Sequence, residues 1–475
     1  MRIVIVSIGT LATLLVATGA HAATRTVGPG KTYAKPCEAI AAAQAGDVIE
    51  VDAAGTYDGD HCSWSTDNLT VRGVNGRAKI DGGKDPANVA AQKGIFVIGA
   101  PNATIENFEL SGAVTNAGGN GAGIRHEGVN LTVRGCYFHD DQNGILGNPS
   151  AANTGEVLIE NSEFDRNGAG DGYTHNMYLG HYAKFTLRHS YTHGAKVGHL
   201  VKSRALENHI LSNRITDEAG TTASYEINLP NAGLSFVIGN LIEQSSTSEN
   251  PAIIDYASES DGMNPDHHLF VVNNTIVNDM GKGTFVQNAV DEPAVLMNNV
   301  FVGPGAVTSQ KNAVLTTNFT SEMGDPKLAN AAAYDYHLLE GSPCVDAGTD
   351  PGQGSGQSLV PASEYDHPLK SKPRVSVGTI DIGAYELGNP GVVTGDAGAD
   401  AGAPGTSSGD PASGGPGSGT SGGASSSGAG SSAGSGDDGG CGCRVHRARN
   451  ALAPFAAVAV LGLLAARRRR PRASS

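Results

Sequence analysis

This chain should fold as an all-β solenoid of stacked coils. A hexad recurs along its middle: IENFEL at 105, VRGCYF at 133, IENSEF at 159, LRHSYT at 187, ILSNRI at 210, VIGNLI at 237, VVNNTI at 271 and LMNNVF at 296. The steps run from 23 to 34 residues, and a period of that size with β-branched alternation means coils that pair with their neighbours. A second short strand follows each hexad, among them GIRHEG, HNMYLG, HLVKSR, YEINLP and IIDYAS. With Gly 66 in 475 residues and aromatics at 5%, a helical protein is excluded.

The elements follow in chain order. MRIVIVSIGTLATLLVATGAHA has a basic start at Arg2, an apolar stretch and small residues at Ala20 and Ala22, so residues 1–22 read as an export signal. Cys37 and Cys62 flank one small unit and suit a disulfide in an oxidising compartment. At the fourth hexad position stand Phe108, Cys136, Ser162, Ser190, Asn213, Asn240, Asn274 and Asn299. Side chains stacked at one turn form an internal ladder, so the asparagines are structural and Cys136 is a buried free thiol rather than a partner for Cys344. The body runs over residues 23–387.

Beyond it, residues 388–440 are nearly all Gly, Ser, Ala, Asp and Pro, a composition that cannot bury enough apolar surface to fold and so predicts a disordered linker. Residues 441–475 carry CGC, the apolar stretch ALAPFAAVAVLGLLAA and RRRR, the order of a membrane segment with a positive stop. Thr24 to Gly388 expressed alone is therefore expected to be a soluble, cooperatively melting β protein. An insoluble product that adding the tail rescues would contradict these boundaries.

The hexad pattern resembles the single-stranded right-handed parallel β-helix superfamily, which includes pectate lyases and chondroitinase B. TYAKPCEAIAAAQAGDVIEVDAAGTYDG is similar to its N-terminal cap, and DYHLLEGSPCVDAGTD with TIDIGAYEL to the closing segment of many secreted members. The tail resembles the MYXO-CTERM sorting signal, which implies carriage to the cell surface. Lyases of this fold use Lys and Arg on a sheet face, sometimes with calcium, for which Asp171, Glu226 and Asp255 are the carboxylates at hand.

A net charge of -15 excludes general nucleic-acid affinity, so anion binding has to be local. Between Asp171 and Arg204 lie Lys184, Arg188, Lys196, Lys202 and Arg204, five histidines, and no other acidic residue. If Ile124, Met177, Val201, Ile227 and Ile254 point inward, alternation sends Arg125, Asn176, Tyr178, Lys202, Glu226, Asn228 and Asp255 outward, with Arg204 beside Lys202. Polar loops at 111–122, 165–174 and 256–267 would wall that face.

These residue types suit β-elimination on a uronic-acid polysaccharide. Arg204 would hold the sugar carboxylate in two prongs, and Lys202, Tyr178, His199 or His175 would move protons. Asn176, Glu226, Asn228, Arg125 and Asp255 are the expected substrate contacts. No spacing predicts a zinc site. The alternatives are glycoside hydrolysis by Glu226 and Asp255 on consecutive coils, or a glycan-binding surface module without catalysis. Expected partners are an acidic polysaccharide and, through the tail, the cell envelope, with an exported chain acting as a monomer.

Overall fold

The computed structural model describes residues 22–392. Residues 1–21 of the expected signal and 393–475 of the expected linker and tail lie outside them.

Three parallel sheets wrap one core. A long sheet of twelve strands runs from Thr24–Val27 to Val314–Thr316, a second of ten from Ala78–Asp81 to Phe319–Thr320, and a third of ten from Cys62–Trp64 to Ala306–Thr308. Each coil adds one strand to each sheet, so neighbours in space are about one period apart in sequence. In the long sheet Leu131 and Val133 pair in register with Ala103 and Ile105 on one side and with Val157 and Ile159 on the other. All six are buried, and each Leu, Ile or Val removed from water stabilises the coil stack by about 1.5–3 kcal/mol.

The hexad is the corner between the long and second sheets. Its third residue takes a left-handed backbone: φ is between 50° and 55° at Asn107, Asn161, His189, Ser212, Asn273 and Asn298, and Gly135 and Gly239 fill the other two places. A bend of this hand favours glycine and asparagine. The fourth residue then turns inward. Asn213, Asn240 and Asn274 each donate to the next carboxamide oxygen at 3.0 Å and to a backbone carbonyl one coil back at 2.8–2.9 Å. Each oxygen also accepts the preceding coil's backbone N–H, as Asn240 does from Asn213 (3.0 Å). The ladder runs one rung past the eight hexads, from Asn299 to Asn318 (2.9 Å).

Cys37 and Cys62 form the expected disulfide, and Cys136 and Cys344 are free and buried. The short helix Pro36–Ala41 begins with proline, and Glu38 accepts the N–H groups of Ala34 (3.1 Å) and Lys35 (3.3 Å). It buries Ala39 and Ile40 in the same core as Val27 and Ile49. At the other end, Tyr336, Tyr365, Ala384 and Tyr385 pack on Tyr191, Leu241 and Val277 of the second sheet. A buried ion pair, Arg374 to Glu386 at 3.1 Å, ties that segment together.

Candidate functional site

The third sheet carries the outward row that alternation predicts. Register runs Arg125, Leu146, Tyr178, Lys202, Asn228, Asp255 and Gln287, one residue per coil. Coil stacking sets the spacing at about 4.8 Å. Tyr178, Lys202 and Asn228 are therefore immediate neighbours, while Arg125 lies three coils from Lys202. Its charge is also engaged, by Asn120 and by Glu127 at 3.3 Å.

Arg204 follows the strand Val201–Ser203 and reaches back over Tyr178. Its Nε donates to the Tyr178 hydroxyl oxygen (2.7 Å), Nη1 to the Asn231 side-chain oxygen, and Nη2 to Glu259 (2.6 Å). Lys202 Nζ stands 5.2 Å from the Tyr178 ring centroid and 3.9 Å from the other Glu259 oxygen. Burial works against the Arg204 charge, but Tyr178 and Glu259 outweigh it and hold the guanidinium above its usual pKa. Two cations and a phenol thus meet on one face, with a carboxylate across them.

Four expected contacts, Asn176, Glu226, Asn228 and Asp255, are buried and need correction. Asn176 and Glu226 are fully buried, because each immediately precedes its strand, at a corner where the two-residue alternation has not begun. Asn176 donates to the Thr192 hydroxyl (3.0 Å) and the His193 carbonyl (2.8 Å), bonds that brace a corner. Burial, then Asp217, pushes the Glu226 carboxyl well above its usual range. Neither side chain meets the groove, so Glu226 and Asp255 are not the facing carboxylate pair that hydrolysis needs. Asp255 does lie on the row, but it is buried and accepts from Asn228 (2.6 Å), Ser258 (2.5 Å) and Gln287 (2.8 Å). Burial raises its pKa against those donors.

His175 and His199 also differ from a groove placement. They stack at 4.4 Å, 2% and 7% exposed, and the His199 backbone N–H donates to His175 Nδ1 (3.0 Å). Burial first, then Lys202 and Arg204, holds both well below the ordinary histidine pKa. His175 sits edge-on to Tyr178 at 5.7 Å, so the pair sets the floor beneath the phenol.

Calcium ligation by Asp171, Glu226 and Asp255 does not fit this geometry. Asp171 accepts from Tyr173 (2.9 Å) and Thr174 (2.9 Å) in its own loop, and Glu226 is sealed in the core. Among the described residues no three His, Cys, Asp or Glu side chains are grouped to hold a metal ion. Sequence reasoning missed Glu259 and Asn231. The 256–267 loop was legible as a wall of the face, but nothing local in SESDG says which residue reaches an arginine 55 positions earlier.

No protein-family model and no curated protein matches the chain. Among solved structures, pectate lyase Pel9A superposes with a TM-score of 0.53 at 15% identity, covering 78% of this chain and 97% of that one. The pectin methylesterase from Aspergillus niger in deglycosylated form covers 65% of this chain and 88% of its own at 12% identity, with a TM-score of 0.27, too low to argue from. The chain has a parallel β-helix fold like that of pectate lyase Pel9A, built on three parallel sheets.

Proposed function

We propose that this chain is an enzyme that cleaves an acidic, uronic-acid-containing polysaccharide by β-elimination, outside the cell or at its surface. The observation that carries the proposal is the meeting of Arg204, Tyr178 and Lys202 on one sheet face, with a carboxylate bound across the two cations. The fold shared with a protein named a pectate lyase supports it. In the same reading residues 1–22 direct export, 23–387 form the catalytic body, and 388–440 and 441–475 attach it to the envelope.

Elimination needs the sugar carboxylate neutralised, so that the neighbouring C–H becomes acidic. Arg204 does this, and Lys202, which must first shed its ammonium proton to solvent so that its amine has a lone pair, takes the C–H proton. The C–H electron pair becomes a carbon–carbon double bond, the C–O bond to the leaving sugar breaks, and that oxygen takes a proton from Tyr178. Arg204 donates to the Tyr178 oxygen, which leaves the phenol's own hydrogen free to be given away. Asn228 and Asp255, buried and bonded to each other at 2.6 Å, brace the sheet beneath the next positions.

The test is a panel of pectate, alginate, glycosaminoglycans and bacterial exopolysaccharides, scored together for ultraviolet absorbance and reducing ends. Absorbing, unsaturated product from at least one polymer supports the proposal. New reducing ends without absorbance indicate hydrolysis, and binding without product indicates a non-catalytic module. Arg204→Lys, which cannot grip Tyr178 and Asn231 and still hold a carboxylate as Nη2 does, is expected to raise KM roughly tenfold with a smaller effect on kcat. An unchanged KM would remove Arg204 from carboxylate binding.

A further inference from the structure

We propose that Glu259 is an internal stand-in for the substrate carboxylate, occupying the seat on Arg204 and Lys202 and selecting for ligands that exchange one carboxylate for another. This deepens the function proposed above and rests on it. The geometry leaves Arg204 no second outward seat. Its Nε and Nη1 are spent on Tyr178 and Asn231, and Nη2, the remaining prong, holds Glu259 at 2.6 Å. The other Glu259 oxygen lies 3.9 Å from Lys202 Nζ, so one carboxylate bridges both cations, as a uronate would.

Glu259 is built to leave. The Lys202 and Arg204 side chains are only 12% and 15% exposed, whereas Glu259 is 45% exposed and forms the outer lip. Its backbone is fixed independently of its side chain. The Glu259 N–H donates to the Pro230 carbonyl (2.9 Å), Asn231 Nδ2 donates to the Asp261 carbonyl (2.6 Å), and the Asn264 N–H donates to the Asn231 carbonyl (2.9 Å). Rotation about the side-chain bonds vacates the seat without unseating the loop. A neutral sugar that displaced Glu259 would take from the recessed Arg204 the carboxylate that it holds at 2.6 Å, which costs more than the sugar's own hydrogen bonds return. A uronate restores the pairing, so the Glu259-filled seat selects for acid over ester.

The test is calorimetric binding of short oligogalacturonate, oligoguluronate and oligoglucuronate chains, with their methyl esters as neutral controls, to the wild type, Glu259→Gln and the Arg204→Ala/Glu259→Gln double variant. Removing the competitor is expected to tighten at least one oligouronate roughly tenfold and to steepen its salt dependence. The esters should not gain, and the gain should vanish in the double variant. Equal or weaker uronate binding in Glu259→Gln, an equal gain for the esters, or no uronate binding to any of these proteins overturns the inference. The two claims separate cleanly. Unsaturated product from the wild type with no gain in Glu259→Gln overturns the exchange alone, and a gain without product from any polymer supports the exchange and overturns elimination alone.

Discussion

Lys202→Ala is expected to lower the rate of unsaturated-product formation by about 10²-fold or more, the usual scale for a lost general base, with the melting temperature little changed. The asymmetry follows from where the side chain points. Val201 and Ser203 on either side of it are buried in the coil, while Lys202 stands on the outward row between Tyr178 and Asn228. Truncation removes a group from the groove and leaves the core untouched. The assay is the initial rate on the best polymer of the panel, beside thermal unfolding of both proteins. A rate that survives Lys202→Ala and disappears in Glu226→Gln would sink the assignment, since Glu226 has no access to the groove.

Asn240→Leu should do the opposite, lowering stability by about 3 kcal/mol or more while leaving ligand affinity in the groove largely intact. Asn240 is the middle of the ladder. Its oxygen accepts both the backbone N–H and the side-chain amide of Asn213, and its own amide bonds the Ile210 carbonyl (2.8 Å) and Asn274 (3.0 Å). Leucine is of similar volume but returns none of these, so two buried donors and one acceptor are orphaned at about 1–3 kcal/mol each, with some relaxation between them. Urea unfolding reads the loss. Unchanged unfolding with lost binding would make the ladder functional instead.

Much of the fold was legible because a solenoid writes its period into the chain. The hexads gave the corners, the fourth position gave the ladder, and the inward residues of the second strands gave the register that brings Tyr178, Lys202, Asn228 and Asp255 into one row. Alternation misled at Asn176 and Glu226 because it holds only within a strand, and both stand one residue before a strand begins. His175 and His199 carried no signal of their burial, since their stack forms between coils 24 residues apart. Glu259 was beyond reach for a stronger reason. Its approach to Arg204 depends on how a loop lies down over the Asn231 turn, and neither periodicity nor composition encodes that.

The central claim is that this face breaks a glycosidic bond by elimination, without adding water. The most direct measurement is a mass spectrum of the products formed from the best acidic polymer in heavy-oxygen water. Elimination predicts a new unsaturated end one water lighter than a hydrolysis product, with no heavy oxygen at the break. Heavy oxygen at the new reducing end, with no unsaturated product, would contradict the account.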